Sequence, residues 1–361
     1  MTLNPPFYRN ALEPAALIEQ FLAHPPLDFQ AQRLTDGTPS FEVDFDLLTT
    51  LDSPWRERVM SLPGHGYWQG LLSPRTRFVG STVSEFLPLA WMSDVRAMPG
   101  ELRRRFGRRY PFLIIKDIPK ASPLLNKADN QVAEELAQAC RQAGFVLLEG
   151  QALAYLPIDF ASTDEWLGRF SGKRRYDIRR KLRQRDRLDI SIWQCGGSEL
   201  AEATVREQLY DLYRQVYAQS EVHFDQHSKA FFDAVWSSTA SGGFLFLYRA
   251  AGKIIGWKLC FVVTDKLIDK YVGFAYPEAR EFGLYFNSWV DCLEFALAHG
   301  LRYYVMGWTD AEIKAYLGAR FCMTRHAVLV RNPVLRFGLQ RFRGLFASDA
   351  RWLESTVSSS G

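Results

Sequence analysis

The apolar runs of this chain predict an α/β (α+β) fold in two halves, and three observations carry that reading. Phe112 to Ile118 (FLIIKDI), Asn130 to Ala143 and Phe145 to Leu148 follow one another as strand, helix and strand. Phe244 to Arg249, Ile254 to Thr264 and Leu267 to Tyr276 read as three strands separated by Ala-Gly-Lys and Thr-Asp-Lys turns, an antiparallel meander. Leu284 to His299 then has helical spacing, stops at Gly300, and leads directly into the aromatic, β-branched run Leu301 to Met306.

The length of 361 residues exceeds one comfortable core and suggests about two domains. Hydrophobic residues at 47% and charged residues at 23% fit an ordinary globular chain. Residues 1 to 26 lack a basic start, a continuous apolar run and a small-residue cleavage site, so a cytoplasmic location is expected. The most apolar stretch, Gly243 to Val263, carries Arg249, Lys253 and Lys258, each unfavourable at the middle of a bilayer, so no membrane span is expected. Cys140, Cys195, Cys260, Cys292 and Cys322 are widely spaced without a C-x-x-C pair and read as reduced thiols. His223 and His227 have i, i+4 spacing but no H-E-x-x-H context, and no metal site is expected.

The net charge of +4 is unevenly spread. Arg169 to Arg187 carries ten Lys or Arg against Asp177 and Asp186, which makes one basic surface on an otherwise balanced chain.

The remaining elements follow in order. The start is Pro-rich, aromatic-rich and irregular, followed by the basic run Arg103 to Arg109; Tyr155 to Phe160, with Pro157, reads as a link between the halves. Thr163 is placed to cap a helix running toward Phe170, and Lys173 to Arg185 is a basic helix whose apolar points are Tyr176, Ile178 and Leu182. That helix is expected to dock through these three residues and to pair with carboxylates, so that neutralising Arg179 and Arg180 lowers stability. Leu188 to Trp193 alternates as a strand, Glu199 to Ala218 has helical spacing, and Phe231 to Val235 belongs to another helix. Ala311 to Leu317 reads as a short helix closed at Gly318, and Arg320 to Val330 as a final strand.

Four blocks give this order a family character. Gly252 to Trp257 (GKIIGW) resembles the third strand of the GNAT acyltransferases, and Arg280 to Tyr285 (REFGLY) stands where that superfamily places its R/Q-x-x-G-x-G/A loop. Arg174 to Arg183 (RRYDIRRKLR) resembles the basic R-x-x-I-R-R helix of FemAB-like proteins, and Gly307 with Ile313 to Gly318 (IKAYLG) is similar to their late G…K-x-x-x-G block. The resemblance implies a GNAT-like fold of two tandem acyltransferase-like halves, the first degenerate. It places them at residues 1–159 and 160–335, followed by a basic tail at 336–361. Tyr285 departs from the superfamily loop, which has Gly or Ala there; this implies a looser hold on donor phosphates, or a donor other than free coenzyme A.

Acyl transfer to an amine needs a deprotonated nucleophile, a donor carbonyl within reach and stabilisation of the oxyanion. The resemblance assigns the carbonyl to backbone N–H groups of the fourth meander-sheet strand where it splays from the fifth, about Val272 to Tyr276, so Val272 and Phe274 are donor-binding candidates. Arg280, Gly283 and Tyr285 are phosphate-binding candidates, because a helix N-terminus after a glycine turn offers unpaired N–H groups and a positive dipole end. Asp269, Tyr271 and Asp310 are base candidates, more remotely His223 or Asp225, and Tyr304 is a donor to the leaving group; a turn or strand-edge role is the alternative for Asp269 and core packing for Tyr304. Lys314, Trp308 and His223 are substrate-binding candidates, Lys314 also fitting a solvated helix face. No G-x-S-x-G elbow or Cys–His pair signals a covalent nucleophile.

The function implied is direct transfer of an acyl group from an acyl-CoA or acyl-carrier-protein co-substrate to a small-molecule amine, without a permanently bound cofactor. An aminoacyl-tRNA-dependent transfer is the competing reading, set lower because the long coiled-coil insertion of such enzymes has no heptad counterpart here. A non-catalytic basic binding module is the third.

Overall fold

The computed structural model describes residues 8–47, 58, 60–61, 72–220 and 224–341. The chain divides into two compact units, one made of Met1–Leu153 and Phe321–Gly361, the other of Ala154–Arg320. In chain order the first unit contributes β1 (Tyr8–Arg9), α1 (Ala15–Ala23), β2 (Gln30–Arg33), β3 (Pro39–Asp44), β4 (Arg75–Val79), β5 (Leu89–Ala90), α2 (Met98–Phe106), β6 (Phe112–Pro119) and α3 (Lys127–Gln142). The strand β7 (Val146–Pro157) begins in the first unit and ends in the second. The second unit continues with α4 (Thr163–Gly168), α5 (Gly172–Leu182), β8 (Asp189–Gln194), α6 (Ala203–Gln219), α7 (Lys229–Trp236), β9 (Gly243–Ala250), β10 (Lys253–Val263) and β11 (Lys266–Phe274). It ends with α8 (Glu278–Glu281), α9 (Leu284–Ala298), β12 (Tyr303–Gly307) and α10 (Ala311–Tyr316), before β13 (Arg320–Val330) and α11 (Pro333–Arg341) return the chain to the first unit.

In the first unit β4 and β6 pair in parallel, with Thr76 opposite Phe112 and Val79 opposite Ile115, and α2 lies in the connection between them. A parallel neighbour needs such a crossover, whereas β2 and β3 pair antiparallel through the short link at residues 34–38. Leu102 and Phe106 of α2, Leu113 and Ile115 of β6, and Leu136 and Cys140 of α3 close one core. The expected helix at Asn130 to Ala143 begins earlier, because the side chain of Asn126 accepts from the Asp129 N–H and caps it.

The second unit realises the meander. β8, β9, β10 and β11 pair antiparallel in sequence order, β11 pairs in parallel with β12, and β12 pairs antiparallel with the end of β7. On one face α6 packs so closely on β11 that a Cβ on Gly273 would lie 2.3 Å from the Trp257 indole and 2.8 Å from the Tyr213 backbone nitrogen. Trp257 fixes that contact by donating to the Leu209 carbonyl at 2.8 Å. On the other face α9 covers the sheet, and Gly256 gives room to Leu284 at its first turn. All five cysteines are buried; the Cys260 and Cys292 sulfurs meet at 3.7 Å where β10 faces α9.

Several local expectations need correction. The strand after Gly144 runs to Pro157, so the chain passes between the units as a strand, with Tyr155 and Leu156 in the β-ladder opposite Val305 and Tyr304. Ser162, rather than Thr163, caps α4 through the Glu165 N–H, which puts Thr163 inside the first turn. Tyr176 is 63% exposed and does not dock α5; Ile178 alone on that helix is fully buried. The strand Arg320–Val330 pairs antiparallel with β6 of the first unit. Of the basic tail, Phe342 onward lies outside the described residues.

Candidate active site

The site is built where β11 and β12 part. Their parallel register runs Lys266↔Tyr303, Leu267↔Tyr304 and Ile268↔Val305, and ends there, while β11 continues through Asp269 to Phe274 along β10. The two strands form a V whose apex is at Ile268 and Val305.

A β-bulge decides what each side of the V carries. Leu259 pairs with Tyr271 and Cys260 with Asp269, which leaves Lys270 as the extra residue. Asp269 and Tyr271 have the spacing of same-face neighbours, yet the bulge sends them to opposite faces. Asp269 joins Lys258 and Tyr304 on the α9 face, accepting from the Lys258 ammonium at 2.7 Å and from the Tyr304 hydroxyl at 2.9 Å. Tyr271 lies under α7 instead, 2.9 Å from His227 Nε2 among Phe231 and Phe232. The fold thus separates two residues that the sequence offered as alternative bases on one strand.

Lys258 noted only as an interruption in an apolar run, is the side chain most clearly missed: it is 5% exposed, and a cation kept in a strand otherwise facing two helices needs a counter-charge. Burial opposes its charge, but the Asp269 carboxylate outweighs that and raises its pKa above the ordinary lysine value. Burial, followed by the field of Asp269, raises the Tyr304 hydroxyl well above the ordinary tyrosine range. Asp269 and Tyr304 are thus brought together, but as members of a satisfied buried network that ties β10, β11 and β12 at the apex.

Around the apex stand aromatic rings. Tyr304 packs on Trp289 with ring centroids 5.5 Å apart, and Trp289 on Trp166 at 5.1 Å. Trp166 donates to the Leu317 carbonyl at 3.1 Å and thereby holds the end of α10. Tyr285, in the first turn of α9, is half-buried with its ring against Phe286, and burial, Asp310 and Asp269 raise its hydroxyl above the ordinary tyrosine range. It stands where the superfamily loop has Gly or Ala.

Lys314 is the second buried cation, 5% exposed, and its ammonium donates to the Met306 carbonyl at 2.6 Å on the β12 arm. It is held from below by α5: Arg174 donates to the carbonyls of Ala315 (3.0 Å) and Tyr316 at the C-terminal end of α10, and Tyr316 donates to Asp177 at 2.8 Å. Asp310 precedes α10 in a left-handed conformation, φ 56°, and is exposed; Trp308 is half-buried on the same loop. Val272 and Phe274 stand opposite Lys258 and Gly256 on the arm of β11 that leaves β12.

The expected phosphate loop has a different character. Pro277 to Phe282 winds into α8, so the Phe282 N–H is spent on the Glu278 carbonyl and the Gly283 N–H on that of Arg280. Gly283 takes φ 57° at the entry to α9. Arg280 is exposed, donating to Gln219 Oε1 at 3.1 Å beside Glu278 and Glu281. His223 lies outside the described residues.

The basic helix is largely an anchor. Arg185 reaches the buried Asp291 at 2.5 Å and Glu294 at 2.5 Å, both on α9. Burial raises the Asp291 carboxyl to about 6 against the opposing pull of Arg185. Arg180 and Lys181 hold Asp177 well below the usual carboxylate range.

A meander, a covering helix and a strand splayed from its parallel neighbour define a GNAT-like fold, the fold of acyl and aminoacyl transferases. The family model for FemAB-like proteins, described as peptidoglycan biosynthesis/recognition, matches residues 119–343, and the chain belongs to that family. Similar solved structures include the C-terminal domain of a candidate lysylphosphatidylglycerol synthetase from Agrobacterium fabrum, at 13% identity over 89% of this chain and 88% of that one, TM-score 0.53. L-PGS from Bacillus licheniformis aligns at 9% identity over 92% and 98%, TM-score 0.53. FemX aligns at 11% identity over 93% and 96%, TM-score 0.51. At these identities the likeness is one of fold. No curated protein matches the sequence. Among the described residues no helix is long and apolar enough to cross a membrane.

Proposed function

We propose that the chain transfers an activated aminoacyl group from tRNA to an amine, by direct attack on a carbonyl held in the β11–β12 opening. The observation that carries this reading is the V itself, with a buried cation on each arm: Lys258 on Asp269 at the apex and Lys314 on the Met306 carbonyl. An arm of β11 beyond its last β12 rung can present main-chain donors to an oxyanion, and an ammonium fixed nearby stabilises the same charge in a water-poor setting. Asp269 already accepts two donors, which suits it to fix the site rather than to take the proton of the amine. A groove of about 640 Å³ runs along α6 and the end of β11, lined by Glu207, Asp211, Gln215, Lys253, Tyr276 and Glu278, with Lys253 paired to Glu278 at 3.4 Å.

The donor reading departs from the coenzyme A expectation for a physical reason. α8 consumes the Phe282 and Gly283 N–H groups, and Tyr285 stands where the superfamily loop has Gly or Ala, both of which disfavour an anion there. Lys173, Arg175 and Arg183 on or just after α5 remain for a polyanion once the anchoring pairs are made. The second reading, an acyl thioester, is favoured by one feature: the Gly283 turn still delivers the N-terminus of the 15-residue α9 to this loop.

Thermal unfolding with tRNA, acetyl-coenzyme A and coenzyme A separates the two, because a ligand of the native state raises Tm. The reading above requires stabilisation by tRNA that weakens as salt rises. Stabilisation by the coenzyme A compounds alone selects the thioester.

A further inference from the structure

The helix α11 (Pro333–Arg341) is left over by the function. The Asn332 side chain caps it, accepting from the N–H groups of Val334 and Leu335, and Pro333 occupies its first position, so its start is strongly specified. Yet none of its residues is buried. Val334 is 76%, Leu335 57% and Phe337 70% exposed. Val334, Phe337 and Arg341 follow the i, i+3, i+7 spacing of one helix face, with Leu335 on its flank. The charges carried by this helix and its entry have one sign: Arg331, Arg336 and Arg341 lie within residues 331–341, which contain no Asp or Glu.

We propose that α11 is an interfacial helix that docks the protein on an anionic lipid surface. Apolar side chains at the crest of an exposed helix enter the acyl boundary while flanking guanidinium groups meet phosphate headgroups, a combination that binds weakly to neutral lipid and firmly to anionic lipid. A second copy of the chain fits the ridge poorly, since an isologous contact would set the arginines of one α11 against those of the other. A nucleic acid would use the arginines and leave Val334, Leu335 and Phe337 in water.

Co-sedimentation of the full chain with vesicles tests this. Phosphatidylglycerol/phosphatidylcholine vesicles should retain it and pure phosphatidylcholine vesicles should not; high salt should weaken retention without abolishing it, because the apolar contribution is unscreened. Val334→Asp/Phe337→Asp should lower retention at least about tenfold while leaving Tm and any tRNA-induced shift unchanged, both residues being exposed. Equal retention of variant and parent, retention of neither, or a concentration-dependent dimer that the variant abolishes would overturn the proposal. The vesicle readout does not depend on the transferase reading.

Discussion

Asp269 shows how a residue chosen for chemistry acquires its role from its neighbours. Lys258 and Asp269 have side chains only 6% and 13% exposed, and Tyr304 completes the triad. Removing one partner of a buried pair strands the other charge, so Asp269→Ala is expected to cost roughly 3–5 kcal/mol in a denaturant melt. Replacing both, as Lys258→Met/Asp269→Leu, is expected to cost less than the single change, since no charge is then left unpaired. A double variant less stable than Asp269→Ala would mean that the pair stabilises in its own right. His227 supplies the pH dependence at the same scale: burial, aided by Lys270, lowers its pKa to about 3. The unfolded chain therefore binds a proton that the folded one refuses, and this contribution to stability is lost as pH falls below about 6.5 toward 3. Asp291, raised to about 6, acts in the opposite sense and disfavours folding as pH rises from about 4 to 6. His227→Asn is expected to flatten the acid limb of a Tm-against-pH curve, and Asp291→Asn to steepen it; an unchanged acid limb in His227→Asn would show that other groups set it.

The elements were legible where hydrophobic period and turn chemistry agree. The meander, the helix closed at Gly300 and the strand Arg320–Val330 are read from local sequence because each buries a face of fixed period. The bulge at Lys270 was not legible: nothing in Ile268 to Val272 marks which residue is left out of register, and that one slip separates Asp269 from Tyr271. The partner of a charge is equally nonlocal, since Lys258 and Asp269, or Arg185 and Asp291, meet only through the fold. The basic helix illustrates the consequence. Arg179 and Arg180 are 59% and 58% exposed at their side chains, so neutralising them is expected to change stability by only about 0–1 kcal/mol, contrary to the sequence expectation. Arg174 carries that weight instead, because it caps α10 and packs on Phe170 and Tyr316, and Arg174→Ala is expected to cost about 1.5–3 kcal/mol. Urea unfolding of the two sets side by side checks the order; a larger loss for the Arg179/Arg180 pair would restore the earlier view.

At the scale of the whole molecule, chemistry and architecture are unequally shared. The first unit is closed by two separate stretches of chain, Met1–Leu153 and Phe321–Gly361, around its own apolar core, and it holds the exposed basic helix α11. The second is one continuous stretch, Ala154–Arg320, and contains the splayed strands, both buried lysines and the anchor helix α5. Donor recognition is therefore expected to register first in the second unit. Hydrogen exchange followed by mass spectrometry, with a tRNA bearing a non-transferable, amide-linked aminoacyl group, reads this directly. Aminoacyl transfer at the V requires slowed exchange in the peptides spanning Lys270–Tyr276 and Met306–Tyr316. Unchanged exchange in both, or protection there by acetyl-coenzyme A and not by the aminoacyl-tRNA analogue, would contradict it.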